Sequence, residues 1–149
     1  MNPRTLLTES FHAAVGAADP LNIVAAYLPA PPKGRTLIIG AGKAAASMAR
    51  AVELAWPRGA PIEGLVVTRY AHGMPTDHID VVEAGHPVPD SAGEAAAADI
   101  LARVQALTSD DLLIALVSGG GSSLLSLPVD SVSMADLKAV TSALLRSGA

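Results

Sequence analysis

At 149 residues the chain is long enough for one domain with its own core, and with half of its residues hydrophobic it is not a disordered segment. Aromatic residues make up 3% and the net charge is −4 with no basic run, so there are neither stacking platforms nor a cationic surface for nucleic acid, and small ligands are the expected partners. Cysteine is absent, which excludes disulfides, thiolate metal sites and thiol nucleophiles.

The N-terminus has no charged segment followed by an apolar signal core, and nothing in the sequence approaches the roughly 18–20 apolar residues of a membrane span, which makes the cytoplasm the default location. Leu6, Leu7, Phe11, Ala14, Val15 and Ala18 recur at helical spacing up to a stop or bend at Asp19-Pro20. A short second helix is expected from Leu21 to Leu28, and Pro29 to Lys33 then breaks the pattern. Residues 1–33 therefore read as a helical arm lying across an α/β body formed by residues 34–149.

From Thr36 the pattern alternates. A strand at 36–39 enters a glycine turn, and an alanine-rich helix is expected from Lys43 to about Trp56, ended by Pro57 and the Gly59-Ala60-Pro61 cluster. Strands follow at 64–68 and 79–83. Ser91 and Glu94 have capping-box spacing for a helix running on to Leu107. The run 111–117 reads as a buried strand, and Ser133 with Asp136 marks the start of a last helix. This order predicts a doubly wound, mostly parallel sheet with helices on both faces. A doubly wound domain would normally continue past a terminal helix, so the chain is expected to be a truncated portion.

Two junctions carry chemistry. After the strand at 111–117 come Ser118, Gly119, Gly120, Gly121, Ser122 and Ser123, a turn whose glycines allow positive φ and close approach, and whose N–H groups and hydroxyls suit an oxyanion such as phosphate or carboxylate. The alternative, a flexible connector, is disfavoured by the backbone entropy that three glycines lose. The earlier junction, Gly40-Ala-Gly42-Lys43, sets a lysine near a helix start, where a cation opposes the macrodipole unless an anion lies between them. An ordinary surface lysine is the competing reading. His72, Asp77 and His78 fall on the loop between two strands and are assigned to solvent rather than to a metal, and Asp90 is assigned to the helix terminus.

Three segments in this order and spacing, Ile39-Gly-Ala-Gly-Lys-Ala-Ala45, Glu83-Ala-Gly-His-Pro-Val-Pro-Asp90 and Val117-Ser-Gly-Gly-Gly-Ser-Ser-Leu-Leu125 with Pro128 beyond it, resemble the glycerate 2-kinase family over nearly the whole chain. The resemblance implies an N-terminal Rossmann-like domain, a second α/β domain not covered here, and an active site in the cleft between them. It implies ATP-dependent phosphorylation of the 2-hydroxyl of D-glycerate to 2-phosphoglycerate with Mg2+. Lys43 is implied to be catalytic, while Gly40, Gly42, His86, Ser118, Gly119, Gly120, Gly121 and Ser122 are implied to bind phosphate or substrate. With one wall of that cleft, the 149 residues alone are expected to lack appreciable kinase activity. Uncovered apolar surface would favour self-association, which leaves a homo-oligomer open.

Two other functions fit parts of the pattern. Gly40-x-Gly42-x-x-Ala45 matches the permissive dinucleotide fingerprint, as in an NADP-dependent hydroxypyruvate-type reductase. The acidic ribose partner is missing, although Arg69 could meet a 2′-phosphate. A non-catalytic module that binds a small anion or phosphosugar would use the same two loops.

Overall fold

The computed structural model describes residues 2–148, so Met1 and Ala149, the outer ends of the expected arm and body, lie outside the described residues. Helix α1 (Pro3–Ala18) is capped by Asn2, whose side chain accepts the Arg4 N–H at 3.0 Å. Asp19 does the same for the short α2 (Pro20–Ile23), which runs into a 3-10 turn at Val24–Tyr27. The expected single helix at 21–28 is thus two tight pieces. Only these pieces reach the body, where Val24 and Leu28 pack on the core; α1 buries no residue, and its Leu7 and Phe11 are exposed. The arm accordingly does not lie across the body along its length.

Strands β1 (Thr36–Ala41), β2 (Ile62–Arg69), β3 (Ile79–Ala84) and β4 (Leu112–Val117) form one sheet, all pairs parallel, in the order β3-β2-β1-β4. Apolar runs in β1 and β2 are what a strand covered on both faces requires. On one face Ile38, Val66 and Leu116 meet Ala45, Ala49 and Val52 of α3 (Ala45–Ala55), whose alanines let the helix sit close to the sheet. On the other, Leu65 and Val67 meet Ala96 and Ile100 of α4 (Ser91–Gln105) and Leu124 of α5 (Gly121–Leu124). Burying Leu124 completely contributes about 2 kcal/mol to holding α5 on the sheet.

Three local expectations need correction. α3 begins at Ala45, so Lys43 lies in the turn before the helix and not in its first turn. α4 is capped by Asp90, one residue before the Ser91–Glu94 pair, because Asp90 accepts the Gly93 N–H at 3.1 Å from an extended backbone. β4 is not buried along its length: it is the edge strand, and Leu113 and Val117 are exposed while Leu116 alone is buried. The last helix, α6 (Met134–Ser147), opens where expected, with a complete Ser133–Asp136 capping box.

The β2–β3 connection holds the fold together in a way the sequence does not announce. Parallel neighbours normally need a long crossover, yet here the nine residues 70–78 between the two strands suffice, running back roughly 16 Å along the sheet without a helix. Both ends of this loop are tied by carboxylates. Glu83 accepts the N–H groups of His72 and Gly73, and Glu53, whose side chain is 3% exposed, accepts those of Asp77, His78 and Ile79. His72, Asp77 and His78 are exposed, and Asp77 pairs with Arg50 at 2.9 Å.

Removing the Glu53 carboxylate would strand three backbone donors at the entry to β3. Glu53→Ala is expected to lower stability by about 2–4 kcal/mol in urea unfolding, given the strength of hydrogen bonds to a buried charge. A loss under about 0.5 kcal/mol would mean that the loop is held by other contacts.

Candidate active site

In the sheet order, β1 leads to β2 and β3 on one side while β4 lies on the other, so the direction of winding reverses between β1 and β4. Their carboxyl ends are level, with Ala41 opposite Val117, and the two glycine junctions leave the sheet side by side. The expected juxtaposition of Lys43 with the Gly119–Gly121 turn is therefore met at the backbone.

Three hydrogen bonds fasten the loops together. Ser118 N–H donates to Ala41 O at 3.1 Å, Lys43 N–H to Gly119 O at 2.9 Å, and Ala44 N–H to Ser118 Oγ at 3.1 Å. Gly42, at φ +140°, occupies the point of closest approach: a β-carbon there would collide with Ser118 Oγ and lie 2.7 Å from its carbonyl oxygen. Buried Thr68 at the end of β2 reaches toward the same loop, its hydroxyl 3.5 Å from Lys43 O.

This fastening separates the two loops chemically. In the first, the N–H groups of Gly42, Lys43 and Ala44 are all spent on Val67 O, Gly119 O and Ser118 Oγ, and Gly40 is buried inside β1 between Val66 and Leu116. In the second, the N–H groups of Gly119, Gly120, Ser122 and Ser123 have no acceptor among the described residues. The free backbone donors thus lie in the β4 turn, and Ser118 is engaged with the loop opposite.

Two side chains flank that turn. Lys43 is exposed, and a β-carbon on Gly119 would lie 3.7 Å from its Cε. His86, from the β3–α4 loop, stands against Gly120 so closely that a β-carbon there would be 2.5 Å from Nε2. Gly120 takes φ +91°, the left-handed conformation that favours glycine. His86, Gly120 and Ser122 line a cleft of about 270 Å³ together with Leu137 and Thr141 of α6. The turn is braced from below, since Ser123 Oγ donates to Gly120 O and Ser126 Oγ to Ser122 O. The α6 residues escaped the sequence reading: a capping box locates the helix but says nothing of what its side chains face.

Residues 6–149 match the family described as a domain of unknown function, DUF4147. A protein of Agrobacterium vitis carrying the name hydroxypyruvate reductase is 50% identical over 149 residues, which is 100% of this chain and 34% of the relative. Glycerate 2-kinase of Pyrococcus horikoshii is 41% identical over 117 residues, 78% of this chain and 26% of the relative. The crystal structure of glycerate kinase from Thermotoga maritima superposes with a TM-score of 0.81 at 36% identity, covering 97% of this chain and 35% of that one. The chain spans about a third of the length of the curated relatives that match it throughout.

The glycines of the two loops should differ sharply in tolerance. Gly42→Ala meets both a positive φ and a collision with Ser118, and is expected to destabilise by about 2 kcal/mol or more. Gly119→Ala has space and is expected to stay within about 1 kcal/mol of the native chain. Thermal unfolding of the two variants checks this; equal losses would refute the packing described for Gly42.

Proposed function

The chain belongs to the DUF4147 family, the N-terminal domain of glycerate 2-kinase family proteins, and on that premise we propose that its β4 turn and Lys43 form one wall of a phosphoryl-transfer site acting on ATP and D-glycerate. The observation that carries this reading is the distribution of free donors: four backbone N–H groups without partners, one lysine beside them, and no carboxylate paired with that lysine among the described residues. Phosphoryl transfer asks mainly for positioned positive charge and backbone donors around a transferring group, and such a wall supplies both.

In the reaction the 2-hydroxyl oxygen of D-glycerate bonds to the γ-phosphorus as the bridging oxygen leaves with ADP and the hydroxyl proton is released to solvent. Lys43 would hold anionic oxygens at the turn, the N–H groups of Gly119, Gly120 and Ser122 would cradle them, and His86 and Ser122 would line the space beside them. Among the described residues no three metal-ligating side chains converge, so these residues offer no cage of their own for Mg2+.

The reductase reading has support in the name of the Agrobacterium vitis relative. Against it stands the first loop. A dinucleotide fingerprint works by presenting free N–H groups to the pyrophosphate, and here those of Gly42, Lys43 and Ala44 are already bonded to Val67, Gly119 and Ser118.

Calorimetric titration of the chain with ATP and with NADPH separates the two: the kinase reading expects heat with ATP and none with NADPH, and the reverse would overturn it. In a complete enzyme containing this segment, Lys43→Ala is expected to lower kcat by on the order of 100-fold, as loss of a preorganised charge at a phosphoryl centre does. Lys43→Arg should not restore it, since a planar guanidinium fork presents its donors differently from a compact ammonium. Turnover near normal in Lys43→Ala would return this side chain to the solvated surface.

A further inference from the structure

We propose that Tyr70 and Asp90 are positioning residues that hold His86 against the Gly120 turn. The significance for phosphoryl transfer rests on the function proposed above; the positioning itself does not.

Asp90 divides its two oxygens between two tasks. Oδ1 accepts the Gly93 N–H at 3.1 Å and caps α4, while Oδ2 accepts the Tyr70 hydroxyl at 2.7 Å. Residues 85–90 fold back closely enough to bring Val88 O and Asp90 Oδ2 against Gly85. There is no room for a side chain at the bend: a β-carbon on Gly85 would lie 2.6 Å from Val88 O and 3.0 Å from Asp90 Oδ2. His86 follows directly, so the loop's closure on Asp90 sets the point from which the imidazole reaches Gly120. Burial pushes the Asp90 carboxyl up, but the Gly93 N–H, the Tyr70 hydroxyl and the N–H groups of Gly85 and Ala92 outweigh it and hold the group below its ordinary range. The Tyr70 hydroxyl is raised, chiefly by donating to Asp90. Tyr70 is the first residue beyond β2, and its bond is a direct link from that strand to the His86 loop. Helix capping alone does not call for it, because Oδ1 already caps α4.

Tyr70→Phe removes the hydroxyl and keeps the ring, and Asp90→Asn keeps a capping oxygen while removing the charge. In solution NMR of the full chain, His86 Hε1 should show a cross-relaxation contact with the Gly120 α-protons, and that contact should weaken in both variants. Titration with inorganic phosphate should show affinity lowered by about three- to ten-fold in Tyr70→Phe, the size expected for one ordinary hydrogen bond. In a His86→Ala background, Tyr70→Phe should change nothing further. An unchanged His86–Gly120 contact in Tyr70→Phe, or an equal loss of affinity with and without His86, would overturn the proposal. If the native chain binds no phosphate while the contact still depends on Tyr70, the positioning stands and the functional reading falls.

Discussion

The bond from Lys43 N–H to Gly119 O, with its companion from Ala44 N–H to Ser118 Oγ, is the constraint on which the site depends. It fixes two loops that leave adjacent strands and would otherwise move independently. It is short enough to exclude a side chain at residue 42, and it consumes the donors of one loop while leaving those of the other free. A pair of similar glycine-rich junctions thereby becomes an asymmetric device, in which one loop supplies a scaffold and a lysine and the other supplies N–H groups.

Around this pair the carboxyl-terminal rim of the sheet is laced by acidic side chains that receive backbone hydrogens. Glu83 turns the chain after β2, Asp90 closes the β3–α4 loop, and Glu53, at the opposite end of β3, secures the return of the same crossover. Each carboxylate satisfies donors that a loop without regular structure would leave unpaired, which is how a nine-residue connection serves between parallel strands.

The family and the distribution of donors limit the chemistry in complementary ways. The match over residues 6–149 goes with relatives whose names include both a kinase and a reductase. A dinucleotide site requires the donors of the first loop, which Ser118 and Gly119 have taken. The 270 Å³ cleft is lined from the turn, from the His86 loop and from α6.

Periodicity and punctuation made the order of helices and strands, the parallel sheet and the two glycine junctions legible from the sequence, because those features follow from local geometry: apolar spacing, positive-φ residues and capping pairs. They also made the three motif segments visible, and with them the family. Which donors stay free was not legible, since it depends on Lys43 meeting Gly119 and Ala44 meeting Ser118 across 74 residues or more of chain. The reading of β4 as a buried strand failed for a related reason: composition reports that a segment is apolar, and only its place in the order β3-β2-β1-β4 makes it an edge. The sequence assigned Asp90 to the helix terminus, where it caps α4, but its bond to Tyr70 was not legible, and Glu53 and Tyr70 look like surface residues in one dimension. Their partners are backbone groups or loops that come within reach when the sheet folds, so tertiary structure alone decides that they shape the site.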